Sequence, residues 1–332
     1  MKPRYRFLLA LTSLFFAIFV SLFLAPTWLS PSLLSEPTGS TDALILFRER
    51  LPRTAIAGLV GSSLSVAGLV FQTVLQNPLA DPYIIGVSGG AAIGGAVAII
   101  LPSSIGYLGV PASAFIFSLA FVFLNLLLAR DRTGRIKGYE VLLVGVVFNA
   151  FASAIVMVIK AVVKPEKVQE MLLWLMGTMS SDIRGFYEIS VFYLLFLLVF
   201  SALYSKSIGL NAIALGEDEA KVVGVDAQRL LKTSVILACL LVALSTSVAG
   251  LIGFVGLVVP HGVRLAFGVD HRFSLPLTAL FGASFLILCD SLVRLLFPVF
   301  STEAPVGVLT ALVGGPVFVI LLRKQSSLRF YG

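Results

Sequence analysis

The chain has 332 residues, of which 58% are hydrophobic and only 12% charged, with a formal net charge of +7 and a mean hydropathy of +1.03. No single small core could bury that much apolar surface, so the composition excludes a soluble globular domain and a disordered chain, and it predicts an all-α polytopic membrane protein. In a soluble protein the positive charge would suggest nucleic acid; here the bases gather at the ends of apolar runs, so the expected surroundings are the lipid bilayer and no nucleic acid.

A bilayer core of roughly 30 Å takes about 20 apolar residues per helix. Runs of that kind predict about ten transmembrane helices, at 7–25, 54–75, 86–101, 112–129, 140–162, 186–204, 231–252, 254–267, 275–297 and 306–322, within a single transmembrane domain covering 1–332. The third and eighth are short and glycine-rich, as tilted, broken or partly inserted segments are. The first run has the basic start and apolar stretch of a signal peptide, but no small-x-small cleavage site follows, so it is read as a span. With the N-terminus on the cytoplasmic side, most of the 24 Lys and Arg residues fall inside, which places both termini in the cytoplasm. Cys239 and Cys289 lie within spans, where neither a disulfide nor a metal site is indicated.

Polar residues punctuate this pattern in chain order. Arg50 and Arg53 bracket "RLPR" before span two, and Arg294 ends span nine, all on the outer side. Arginine at a span end either snorkels to the interface or pairs with carboxylates of a docked partner. Asp290, one turn before Arg294, is placed to orient it. Pro78 and Pro82 stop the helix in "QNPLADP" and turn the chain back at the inner face, where "KGYE" opens span five. Span five offers Asn149 and Ser153 but no cluster of charges or ligands. "MLLWLMG" reads as a short outer helix, not a cofactor box. His261, in "VVPHGVR", is weighed as a metal or haem ligand and as a structural residue; alone after a proline, the structural reading is favoured. His271 falls in a polar inner loop.

The longest polar stretch, "ALGEDEAKVVGVDAQRLLK", lies between spans six and seven. Its acidic first turn suits the positive end of a helix dipole, Glu217 and Lys221 are four apart, and Gly224 is a stop after which Asp226 can cap a second short helix. Two short helices joined at that glycine would leave Ala220, Val223 and Val225 as an apolar patch. Residue chemistry leaves two readings open, a solvated loop or a docking surface.

Four long segments, "RLPRTAIAGLVGSSLSVAGLVFQTVLQNPLADPYIIGVSGGA", "LGEDEAKVVGVDAQRL", "GLIGFVGLVVPHGVRLAFGVDHR" and "PVGVLTALVGGPVFVILLRK", resemble the permease subunits of type II ABC importers. This is the FecCD family, which takes up iron-siderophore complexes, haem and cobalamin. The resemblance implies a ten-helix fold that pairs with a second copy of itself around a central pathway, two ATP-binding-cassette ATPase subunits beneath, and an extracytoplasmic substrate-binding protein. It implies a bacterial or archaeal cytoplasmic (inner) membrane. It also assigns roles. Residues 214–230 become coupling helices, with Gly216, Glu217, Ala220, Val223, Gly224 and Val225 as ATPase contacts; Arg50, Arg53 and Arg294 meet acids of the binding protein. Asn77, Leu79, Gly138 and Tyr139 take cytoplasmic gate positions, although the family can carry small hydroxyl residues where this chain has Gly138 and Tyr139. Asn149 and Ser153 line the pathway.

No cofactor is expected in this chain. It lacks a GxxxxGK[ST] loop, so ATP and Mg would be bound by the partner ATPase and their energy would arrive through a protein contact. A polytopic enzyme is disfavoured by the absence of a convergent His, Asp or Glu set. An ion-coupled secondary transporter is the alternative, since glycine-broken spans suit that class, but Asp290 is its one plausible ion-binding residue.

Overall fold

The computed structural model describes residues 3–34, 40–101, 109–131, 134–179, 185–300 and 304–329. In chain order the α-helices are α1 (Pro3–Phe19), α2 (Thr41–Leu44), α3 (Leu51–Val74), α4 (Val87–Ile100), α5 (Gly109–Leu128), α6 (Gly138–Val162), α7 (Pro165–Leu175), α8 (Phe186–Tyr204), α9 (Ser207–Leu215), α10 (Glu217–Val222), α11 (Ala227–Ala249), α12 (Val255–Phe267), α13 (His271–Phe300) and α14 (Val306–Arg329). Among the described residues there is no strand, only an isolated bridge between Arg130 and Ile136. Among the described residues seven helical segments are long and apolar enough to cross a bilayer, and α4, α12 and the apolar part of α14 are shorter apolar helices.

The ten expected spans all find a helix, and the differences lie at their ends. The second begins at Thr41, not 54, because Ser40 accepts a hydrogen bond from the Ala43 amide (3.2 Å) and a π-helical turn, Ile45–Arg50, carries the helix through charged residues that interrupt the apolar run. Span seven stops early, at Gly250 with φ +69°. Span nine starts at His271, where the Asp270 carboxylate accepts the Arg272 amide at 3.0 Å.

The centre of the bundle is α3, buried along nearly its whole length against α11, α12 and α13. Glycine permits that position. A β-carbon on Gly61 would stand 2.2 Å from the Gly282 carbonyl oxygen, and one on Gly68 would stand 1.8 Å from that of Gly256. The helices therefore meet backbone to backbone, which is how spans associate where lipid supplies no hydrophobic drive. The Ser62 hydroxyl donates to the Ala279 carbonyl (2.9 Å) along the same seam. By contrast α6 and α8 are apolar and largely uncovered: Leu143, Val146, Val147 and Phe151 on α6 are exposed.

Candidate functional site

At one end of the bundle α9 and α10 form a knob. The two short helices are joined at Gly216 (φ +147°), where a β-carbon would lie 1.9 Å from the Glu219 carboxylate. Here the structure corrects the sequence expectation. Gly224 (φ +82°) does end α10, and Asp226 does act as a cap, accepting from the Arg229 amide at 3.0 Å, but the helix it caps is the span α11 itself. The apolar periodicity beginning at Ala227 is continuous with the membrane run, so no separate short helix breaks off. The patch also differs. Ala220 is fully buried with Ile213, Ala227 and Leu230, and Val225 packs partly against them. The apolar residues the knob exposes include Ile208, Leu215, Val222 and Val223, beside the charged Asp218, Glu219 and Lys221. Lys221 pairs with Asp218 at 2.7 Å, which holds the Asp218 carboxyl below the usual carboxylate range.

Two residues that sequence reasoning passed over fix this knob to the bundle. Gln76, just past α3, donates to the Ile213 carbonyl of α9 at 3.1 Å. Asn211 of α9 donates to Asp270 (2.8 Å) and accepts from the His271 amide (2.9 Å), clasping the start of α13. Asp270 is further engaged by the Arg272 guanidinium at 2.8 Å, which with Asn211 holds its carboxyl well below the usual range. His271, expected in a polar loop, is buried, with its ring between Thr73 (2.8 Å) and Asn211 (2.7 Å). These contacts span from about 60 to nearly 200 positions in sequence, so no local signal marks them; only the polar residues in "QNP" and "DHR", beside spans that need none, hint at a role.

The loop after α3 turns back as its prolines dictate. Asn77 accepts from the Leu79 amide (2.9 Å), Asp81 accepts from the Tyr83 amide (2.8 Å), and the Tyr83 hydroxyl accepts from the Ile252 amide (2.9 Å). Burial pushes the Asp81 carboxyl up to about 6, against the opposing pull of the Tyr83 amide. Gly138 sits on this loop's approach, with Leu75 within 3.4 Å of where a β-carbon would be. Thus the structure brings Gly138 to the end of α3, while Leu79 and Tyr139 are both exposed. Tyr139 donates to Glu140 at 3.0 Å. Asn149 ties α6 to the start of α4, donating to the Tyr83 carbonyl (2.9 Å) and accepting from the Gly89 amide (3.1 Å). Ser153 is exposed one turn on and donates to the Asn149 carbonyl at 2.9 Å.

At the opposite end the three arginines converge on internal partners. Asp290 is fully buried and receives Arg53 (2.9 Å) and Arg294 (3.1 Å). Arg294 also donates to Ser21, and Arg50 donates to the Leu22 and Thr27 carbonyls, each at 2.9 Å. With 3% and 5% exposure, Arg50 and Arg294 are turned inward, out of reach of a docked protein in this conformation; Arg53 keeps a 15% exposed side chain. The cause is the chain after α1, which folds its carbonyls over both guanidinium groups. Asp290 orients Arg294 as expected. Among the described residues no group of three or more metal-binding side chains assembles.

The FecCD transport family profile matches residues 13–324. The chain is 36% identical over 298 residues to the hemin transport system permease protein of Yersinia pestis, covering 88% of this chain and 87% of that one. It is 36% identical over 286 residues to the cobalamin import system permease protein of Halobacterium salinarum, covering 86% and 75% respectively. A solved structure of a metal-chelate type ABC transporter in an inward-facing conformation superposes with a TM-score of 0.85 at 32% identity, covering 97% of this chain and 99% of that one.

Proposed function

The chain belongs to the FecCD transport family, as a permease subunit of an ABC importer and not an enzyme, and from that premise we propose how it works. Two copies form the pathway for a bulky metal chelate, with an iron complex ranked first and haem or cobalamin after it. ATPase subunits dock on the knob end, which faces the cytoplasm together with both termini, and a binding protein delivers substrate at the arginine end. The membrane is the bacterial or archaeal inner membrane.

The observation that carries this reading is the way the knob is fastened. Its outer surface sets the exposed apolar residues Leu215, Val222 and Val223 beside the exposed Lys221–Asp218 ion pair, while its inner side is bonded through Gln76 to the gate loop and through Asn211 to α13. A surface displaced by a partner would thus move the loop bearing Asn77 and Leu79 with it. The uncovered apolar face of α6 supports a second copy or lipid against the pathway helices. Arg53 is the arginine available at the outer rim; Arg50 and Arg294 serve to hold that rim together. The secondary-transport alternative loses support because Asp290, its candidate ion site, is already neutralised by two arginines.

The test is reconstitution. The permease alone should hydrolyse no ATP; with its ATPase and binding protein in liposomes it should import chelate only when ATP is present. Uptake driven by an ion gradient without ATPase, or hydrolysis by the isolated chain, would overturn the proposal. Titrating candidate chelates against the binding protein resolves the substrate.

A further inference from the structure

The exposed face of α11 changes character along its length. Arg229, Lys232 and Ile236 are exposed at three- and four-residue spacing and so form one strip, whereas every residue from Leu241 to Ala249 is buried. The strip is open only at the end beside the knob, and it passes from charged to apolar within about one turn. It does not face the knob. Ala227 and Leu230, which pack with Ile213 and Ala220, lie on other sides of the helix.

A second basic pair stands beside this strip. Helix α5 packs along α11, and its exposed Phe123 and Leu127 lead, at the same spacing, to the exposed Arg130. The chain then doubles back, bridging Arg130 to Ile136, and the Ile136 amide donates to the Gln228 side chain at 3.0 Å. That bond brings the backbones of Arg130 and Arg135 to the first turn of α11, where Arg229 follows Gln228. All four basic side chains are exposed, and among the described residues none of them donates a hydrogen bond or lies in an ion pair. The two carboxylates nearest in sequence are engaged by backbone: Asp131 accepts from the Arg135 amide (2.9 Å) and Asp226 from the Arg229 amide (3.0 Å). Lys137, the next base in the loop, lies over the Tyr139 ring.

Cations at the head of an apolar strip complement one kind of molecule. An acidic soluble partner would match the charges and leave Phe123, Leu127 and Ile236 uncovered, whereas a phospholipid brings an anionic head and an apolar chain in one piece. We propose that this face binds an anionic phospholipid, its head among Arg130, Arg135, Arg229 and Lys232 and an acyl chain along Phe123, Leu127 and Ile236. Two pairs of cations suit a head with two phosphates, so cardiolipin binds more tightly than phosphatidylglycerol, and phosphatidylcholine most weakly. Placing this lipid in the inner leaflet rests on the proposed orientation of the knob; the binding itself does not, and it is read on the permease alone.

Native mass spectrometry of the full-length permease in detergent, titrated with each of the three lipids, should show saturable binding in that order of affinity. Replacing Arg229 and Lys232 together by glutamine should weaken cardiolipin binding by about tenfold or more, and so should replacing Arg130 and Arg135 together. Arg229→Lys should keep most of the affinity. Replacing Lys160 and Lys164 by glutamine, at the other end of α6, should change nothing. Equal affinity for phosphatidylcholine overturns the proposal, as does an equal loss in the Lys160 and Lys164 variant or an unaltered affinity when either basic pair is replaced. A purified ATPase subunit that binds the permease in lipid-free detergent, and loses affinity for the basic-pair variants, would likewise overturn it and assign the patch to protein docking.

Discussion

Replacing Asp290 with asparagine tests the outer clamp with almost no change in shape. The carboxylate is fully buried and meets Arg53 at 2.9 Å and Arg294 at 3.1 Å, and those side chains are 15% and 6% exposed. At an effective dielectric of about 20, each contact is worth roughly 5 kcal/mol of gross attraction. Most of that offsets the cost of removing three charges from water, so the net value of the cluster is small. Removing the anion alone is a different matter, because two recessed guanidinium groups then lose the carboxylate they share. Asp290→Asn should therefore destabilise the protein by about 3–5 kcal/mol, toward the lower figure because the amide oxygen still accepts a hydrogen bond. Thermal or denaturant unfolding in detergent reads the loss. Adding Arg53→Gln should recover part of it, since one of the two like charges that shared the carboxylate is then gone. A single variant within about 0.5 kcal/mol of wild type, or a double variant whose losses merely add, would refute the view that the arginines are held by charge from within.

Gly224→Val should uncouple ATP hydrolysis from uptake while leaving insertion intact: φ is +82° and no atom lies within 4 Å of the new β-carbon, so the cost is backbone strain of about 1–2 kcal/mol confined to the knob. Unchanged uptake and unchanged ATPase stimulation in liposomes would count against it. For Asp81 the folded state raises the carboxyl from 3.8 to about 6, so the folded protein binds the extra proton, and stability falls as pH rises from about 4 to about 6. Asp81→Asn, which can still accept the Tyr83 amide, should flatten that slope and raise the unfolding midpoint at pH 7; an unaltered pH profile would show that the burial of Asp81 carries no such cost.

The spans were legible because the bilayer imposes a length on apolar runs, and that constraint is local in sequence. Their ends were less so. The π turn at Ile45–Arg50 carries charges that resemble a loop, and it is acceptors on the distant Leu22 and Thr27 that make Arg50 tolerable inside a helix. The knob was found as a polar island, yet its inner and outer faces were assigned the wrong way for Ala220, which packs on Ile213 and Leu230. A six-residue helix is too short for periodicity to define a face. Gln76, Asn211 and His271 were missed for a related reason: each acts on a partner far away in the chain, and a single polar residue near a span end looks like any other.

The backbone contacts at Gly61 and Gly68 have a mechanical consequence. At those two points α3 has no cushion of side chains against α12 and α13, so a displacement there passes from backbone to backbone, as along a stiff rod and not through a deformable spacer. Its 24 residues span ~36 Å. Arg53 stands at one tip of that rod and Gln76 just beyond the other. A small tilt about the glycine fulcrum would therefore be felt at the arginine rim and at the knob together, in opposite directions, so that opening on one side of the membrane accompanies closing on the other.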